Sequence, residues 1–574
     1  MLLRAQVGCG DSAPQFWQTR VDAGAYGFGL GPADDRLADV TGPETVSASG
    51  SASSRPGRPA FSIGGPAIVA VGVALVLVVA YLVSPLMGAD LSAQLSRADF
   101  ARDHASALID FRWFGGTLPY GYSLWVPVVA AYVGTRSTGA ACAVIAAGLA
   151  AYLFRRAGAK RPALGGVAAA VCQASSLAEG RVAFGAGMVF GLITLTALSN
   201  PPRSWRRRVV IVVSALLTAG ANPVAALLLA MCGVVAIIRG RRSDGVVTII
   251  ATALPVIVIS VIFADGSRQV FNPVDALRAG LVTMLCFFVC PRRFVAIRWG
   301  AALGLLLVVG AYVIPSPVGS NATRLSLLFA VPIVAAFVEW RAWRAAVAIV
   351  AAVVIQTPVV LGTLTGAGTA ATTAAYYRPL LDELGSGGPL TGRVEIPELI
   401  GHWEAYYAAR DVPLARGWLR QVDTQLNGKT FYDRAPTADS YQAFLARTAV
   451  QYVAVPDARL TFYGRREKAL IASGLPYLHT IWRDSHWTLY KVTRAITVVS
   501  PPATLERYGA DELTITAPAK SVIAVRLRWF DWLALSSRDG DACIARSGDQ
   551  VSLHTNAGGT YVIGSALTGR RGHC

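Results

Sequence analysis

The chain has 574 residues, 54% of them hydrophobic and 15% charged, with a mean hydropathy of +0.48 and a formal net charge of +18. Soluble domains carry about 25% charged residues, so an ordinary cytosolic enzyme is excluded, and so is a disordered chain, which would be poor in aliphatic residues. Only five of the 52 basic residues are Lys, and many of the Arg stand in short clusters between apolar runs. That is the charge pattern of a polytopic membrane protein rather than of a nucleic-acid-binding face.

Residues 1–60 are poor in apolar residues and end in a Ser/Gly/Pro/Arg stretch. They carry no signal-peptide pattern and read as a disordered cytoplasmic tail. A transmembrane domain is expected over 61–365, with apolar runs near 66–86, 138–154, 163–178, 182–198, 207–221, 223–238, 246–263, 274–290, 299–314, 323–338 and 345–361. Several runs are shorter than the ~20 residues of an ideal span, and their flanks supply the difference. A shorter apolar run covers 122–134.

Loop charges fix a topology. Arg155, Arg156, Lys160, Arg161, Arg203, Arg206, Arg207, Arg208, Arg239, Arg241, Arg242, Arg292, Arg293, Arg298, Arg341 and Arg344 fall in alternate loops, which are therefore cytoplasmic. Arg55 and Arg58 place the start of the first span on the same side. Both conditions hold only if 122–134 does not cross. The expectation is eleven spans and one re-entrant segment in the plasma membrane, with the C-terminal region outside.

Beyond a small-residue linker, 376–495 mixes helical stretches (439–448, 464–474) with short strands (452–456, 487–492), as in a small α/β domain. Residues 496–574 alternate polar and apolar side chains in strand-length runs at 513–516, 521–529, 550–554 and 560–563, the pattern of a β-sandwich. Cys543 and Cys574 both fall there. In an extracytoplasmic domain they can pair and tie down the last strand; as bystanders they would stay reduced.

Three groups of residues can carry chemistry. The loop 87–120 holds Asp90, Asp99, Asp103, His104 and Asp110, and a carboxylate there can deprotonate an acceptor hydroxyl or hold a divalent cation against a phosphate. Its plainer reading is a solvated helix whose acids pair with Arg97, Arg102 and Arg112. Arg181, Arg278 and Arg324 stand at the outer ends of spans, against the positive-inside trend, with Asn222 and Asn321 at the same level. They can clamp a lipid phosphate or snorkel to headgroups. The third group is His402, Trp403, Glu404, Tyr406 and Tyr407 with Arg416, Trp418, Arg420 and Gln421. It has the makeup of a sugar-binding surface, or Trp403 and Trp418 belong to the core. No acid or His lies well inside a span, which disfavours proton-coupled transport, and there is no Walker A, HExxH or GxSxG sequence.

At these residues the chain resembles the large bacterial integral membrane proteins related to GT-C glycosyltransferases. The resemblance is carried by Asp90-Leu-Ser-Ala-Gln, by Arg112-Trp-Phe-Gly-Gly, by Gly180-Arg181-Val-Ala-Phe, by the segment Pro315 to Arg324 and by the segment 401–420. It implies a polyprenyl-phosphate-linked sugar as donor and an envelope glycan as acceptor at the outer face. It also implies a catalytic acid just after the first helix, which matches Asp90 best, with Asp99 and Asp103 next. No Asp-x-Asp or Asp-Glu pair follows that helix. On this reading Arg181 and Arg324 hold the phosphate, and His402, Trp403, Glu404 and Arg416 contact substrate. Two rivals are a transporter or flippase of a lipid-linked precursor and a non-enzymatic membrane scaffold.

Overall fold

The computed structural model describes residues 64–201, 204–263, 268–357, 363–364, 366–537 and 540–574. The expected tail 1–60, with Arg55 and Arg58, lies outside them, as does Arg203.

Each apolar run folds as a helix. In chain order these are α1 (Gly65–Val83), α4 (Thr135–Arg156), α5 (Pro162–Ala178), α6 (Val182–Leu198), α7 (Trp205–Ala221), α8 (Pro223–Ile238), α9 (Arg242–Ile262), α10 (Pro273–Val289), α11 (Val295–Val313), α12 (Thr323–Phe337) and α13 (Ala342–Ile355). Between α1 and α4 lie α2 (Leu91–Asp103) and α3 (Val126–Val133). Several starts are set by Pro in the first turn, where the missing N–H costs nothing. At α8 the Asn222 side chain also accepts from the Val224 and Ala225 amides, so Asn222 is a helix cap rather than part of a ligand site.

By length and composition five helices are apolar enough to cross a bilayer, namely α1, α4, α9, α11 and α12 with its leading turn. Helices α5, α6, α8 and α13 are shorter and apolar. The eight residues of α3 span roughly 12 Å, less than half the hydrocarbon thickness.

The helix ends alternate between two levels. At one level, Arg156 bonds Asn200, Arg161 bonds the Val338 carbonyl, and Arg207 holds Asp244 through two hydrogen bonds of 2.7 and 3.0 Å. At the other, Arg136 bonds the Ser84 carbonyl, the Leu124 amide bonds the Gly220 carbonyl, and Trp532 of the C-terminal region bonds the Ile262 carbonyl. The Arg-rich loops and the C-terminal region therefore occupy opposite ends of the bundle.

The C-terminal region contains a four-stranded mixed sheet of β1 (Arg393–Glu395), β2 (Val450–Pro456), β3 (Leu478–Arg483) and β4 (Trp487–Val492), in the order β1-β2-β4-β3. Only β1 and β2 run parallel. Two antiparallel sheets follow. One is β5-β6-β11-β8 (Thr504–Tyr508, Leu513–Ala517, Gly559–Ser565, Leu533–Ser536), and the other is β7-β10-β9 (Ser521–Arg528, Gln550–Thr555, Ala542–Ser547). Alternate residues of both, such as Leu513, Ile515, Ile563, Ile523, Val525 and Leu553, share one core, as period-2 strands facing each other must. Cys543 on β9 is disulfide-bonded to Cys574.

The loop after α2 does not lie on the membrane surface. Ile109 and Phe111 enter the sandwich core, while Trp113 is buried in the core around the mixed sheet and donates its indole N–H to the Ala405 carbonyl at 3.1 Å. Asp110 is locked to Arg112 by hydrogen bonds of 2.7 and 3.0 Å. This loop joins the helical bundle to both halves of the C-terminal region.

Candidate active site

A cavity of about 680 Å³ lies where the helix ends opposite the Arg-rich loops meet the C-terminal region. Its lining includes Asp90, Gln94, Arg97 and Tyr122 on one side and Glu179 and Arg181 from the α5–α6 turn. Gln269, Arg278, Asn321, Arg324 and Gln356 come from the ends of α10, α12 and α13, and Trp418, Arg420 and Gln421 close it from the C-terminal region.

Two left-handed glycines bring its centre together. Gly88 (φ +100°) packs on the Ala178 and Glu179 carbonyls, and Gly180 (φ +82°) packs on the Leu91 backbone. A Cβ at either would collide with backbone, so only glycine permits the approach. The contact is sealed by the Asp90 amide donating to the Glu179 carbonyl at 3.0 Å. It carries Asp90 to 3.6 Å from Arg181 Nε and 3.7 Å from Arg324 Nη2, both measured to Oδ2. Glu179 lies 3.9 Å from Arg181 and accepts from the Thr363 hydroxyl.

Among the described residues the lining carries unpartnered polar atoms of both kinds, the acceptors being Gln269 Oε1 and Gln356 Oε1. Arg181 Nε and Arg324 Nη1 are buried with no hydrogen-bond partner among the described residues. Burial pushes the Arg181 guanidinium down from its ordinary value and Arg324 adds to this, with Asp90 and Glu179 opposing. Burial likewise raises the Glu179 carboxyl, with Arg181 opposing. A buried guanidinium stays charged and gains most from a bidentate oxyanion partner.

Helical geometry sorts the three sequence-selected acids. Asp90, Gln94 and Arg97 stand at i, i+4 and i+7 on one face of α2, towards the cavity. Asp99 and Asp103 are nine and thirteen residues beyond Asp90, on the opposite face. There Asp99 pairs with Arg410 and with Arg102 at 3.5 Å, and Asp103 pairs with Arg102 at 2.9 Å. Asp99 and Asp103 therefore do not join the site.

The third group is also divided. Trp403 is buried among Tyr406 and Tyr407, and Glu404 is buried beside His402 at 3.4 Å. His402 stacks on Trp418 with ring centroids 3.5 Å apart, and the Arg420 guanidinium lies over Trp418 at 5.1 Å. Arg416 is fully enclosed, donating to Glu395 at 2.7 Å and to Glu467, with Phe431 4.1 Å from its guanidinium. His402, Trp403, Glu404 and Arg416, expected to form a sugar-contacting surface, are all buried, and none of them lines the cavity. Only Trp418, Arg420 and Gln421 of that group reach the cavity.

Sequence reasoning missed Glu179, Gln269 and Gln356, and it treated Arg97 only as a counter-ion for the loop acids. Glu179 had a signal, an acid directly before Gly180-Arg181 at a span end. Gln269 and Gln356 had none. As for a divalent cation, Asp90 Oδ2 faces two guanidiniums, and no group of three or more His, Cys, Asp or Glu suited to a metal occurs among the described residues. The donor set does not fit a cation.

No family model matches the chain, and no curated protein sequence matches it. Among solved structures the chain is similar to ArnT from Cupriavidus metallidurans in the apo state, at 13% identity and a TM-score of 0.41, over 74% of this chain and 97% of that one. It is also similar to arabinofuranosyltransferase AftD from mycobacteria, at 15% identity and a TM-score of 0.43, over 74% of this chain and 41% of that one.

Proposed function

We propose that the protein is a membrane glycosyltransferase that moves a sugar from a polyprenyl-phosphate donor to a hydroxyl of a cell-envelope glycan. The observation that carries this reading is Asp90 set between Arg181 and Arg324, with unused guanidinium N–H groups, in a cavity at the outer ends of apolar helices. The helices suit a prenyl chain, and Arg181 and Arg324 suit its phosphate. The Trp418 to Gln421 side is open to an acceptor. Asp90 takes the proton of the acceptor hydroxyl, whose oxygen attacks the anomeric carbon. The sugar–phosphate C–O bond breaks with its electron pair going to the phosphate, whose charge Arg181 and Arg324 stabilise. Attack from the face opposite the phosphate inverts the anomeric centre.

The topology that belongs to this reading has eleven crossings, α3 re-entrant, and the C-terminal region outside the plasma membrane. The Arg-rich loops at the far end of the bundle and the Cys543–Cys574 disulfide support it.

The test is lipid-linked-sugar analysis of cells lacking the gene, complemented with wild type or Asp90→Asn. Accumulated polyprenyl-phosphate sugar that only wild type clears is expected, and in reconstituted protein a loss of transfer of roughly 10²–10⁴-fold. Equal rescue by both forms would overturn the assignment.

A further inference from the structure

Beyond Arg181 and Arg324 the cavity is lined by three more arginines, of which Arg278 is exposed, Arg420 is bonded to Glu398, and Arg97 is buried. Arg97, on the same face of α2 as Asp90, lines the cavity and is only 7% exposed. It has no hydrogen bond and no ion pair among the described residues. Its guanidinium lies over the Tyr122 ring, with Cζ 4.4 Å from the centroid, and Asp90 and Asp110 attract it from beyond ion-pair distance. Its neighbours Arg102 and Arg112, by contrast, are both paired with acids. Burying an unpaired guanidinium is costly, and a protein that merely filled this space would use an apolar residue.

Arg97 enters the cavity from a different element than Arg181 and Arg324, although Asp90 and Tyr122 attract Arg97 and Arg181 alike. Arg181 and Arg324 reach Asp90 from α6 and α12, whereas Arg97 stands two turns along α2 from Asp90, beside the Tyr122 wall. A group held there lies on the α2 side of the base rather than on the α12 side.

We propose that Arg97, seated on Tyr122, forms a second anion-binding subsite, and that the acceptor carries an anionic group, a phosphate or a carboxylate, that docks on it. The assignment rests on the transferase reading for the word acceptor; the subsite itself does not. Two anions then enter the cavity, the lipid phosphate at Arg181 and Arg324 and the second at Arg97.

The test uses the full chain in nanodiscs of zwitterionic lipid and reads equilibrium binding, not transfer. The probes are a short-chain polyprenyl phosphate, glucose 1-phosphate and methyl glucuronide. Arg97→Gln is expected to weaken glucose 1-phosphate or methyl glucuronide at least tenfold while polyprenyl phosphate stays within twofold. Arg324→Gln should do the reverse, and Arg97→Lys should restore part of the lost affinity. Which soluble probe responds distinguishes a phosphate from a carboxylate acceptor. Because burial of the guanidinium outweighs the distant attraction of Asp90 and Asp110, with no hydrogen bond to offset it, Arg97→Gln should also leave the melting temperature unchanged or raise it. The proposal fails if Arg97→Gln weakens all three probes alike or none of them, or if it lowers the melting temperature as a structural residue would. Failure of the transferase reading, read from Asp90→Asn, would show in a separate assay.

Discussion

At the scale of single residues, the site depends on side chains that elsewhere would be poor choices. Gly180 adopts a left-handed conformation against Leu91, and this contact sets where Asp90 stands. Gly180→Ala should cost about 1–3 kcal/mol. It should lower the melting temperature and, on the proposed function, reduce sugar transfer although no proposed substrate contact is removed. Unchanged transfer would mean that Asp90 is positioned otherwise. The interior around Arg416 gives a second prediction. Glu395, Glu398, Asp423 and Glu467 surround Arg416 and Arg420, so the buried acids outnumber the guanidiniums. Burial raises Glu395 well above the ordinary glutamate value of 4.5, Arg416 opposing, while Arg420, His402 and Arg416 hold Glu398 below that value against burial. A raised folded-state value means that the native protein holds the proton more tightly than the unfolded chain. Glu395 therefore contributes stability that is present below pH 4.5 and lost as pH rises through its folded value. Glu395→Gln, which keeps the shape of the protonated acid, should flatten the decline of melting temperature as pH rises above 4.5. Glu398 acts in the other direction, its stabilisation being lost as pH falls below that value. Melting curves across pH for wild type and Glu395→Gln check the sign.

At the scale of elements, α2 and the loop after it do two jobs with different faces. Asp90, Gln94 and Arg97 face the cavity, Asp99 and Asp103 face Arg102 and Arg410, and the following turn drives Phe111 and Trp113 into two cores of the C-terminal region. Trp113→Ala should cost about 3–5 kcal/mol, the usual range for a fully buried aromatic. If the loop couples the bundle to the C-terminal region, the loss should appear as greater protease sensitivity of both. A loss confined to the C-terminal region would show that the coupling is weak. Much at this scale was legible beforehand. The apolar runs, the alternation at 513–516 and 560–563, and the helical stretches at 439–448 and 464–474 all correspond to elements, because period and composition are local properties. Strands β1, β3, β5, β8 and β9 were not read, and neither the catalytic nor the solvated reading of the loop 87–120 foresaw that its end is interior. Asp110 and Arg112 become interior only as a pair.

At the scale of the whole molecule, the two ends of the bundle differ in charge, and the cavity opens at the end that carries the C-terminal region. Impermeant-thiol labelling of intact cells should therefore modify Asp103→Cys, whose position is exposed beside the C-terminal region. It should modify Arg292→Cys only after permeabilisation. The opposite pattern would turn the protein over and remove the case for an outer-face acceptor. The sequence by itself determined that this is a multi-pass membrane chain with a strand-rich C-terminal region, since apolar length and charge spacing are written residue by residue. It also named Asp90, Arg181 and Arg324, through their place at span ends. Only the tertiary structure decided that these three meet, that Asp99, Asp103, Trp403 and Arg416 do not join them, and that Arg97 stands unpaired beside them. Residues that meet from α2, α6 and α12 are 91 and 143 positions apart in the chain, counting from Asp90 to Arg181 and from Arg181 to Arg324. Contacts over such separations are set by backbone approach and shared burial, which no local pattern encodes.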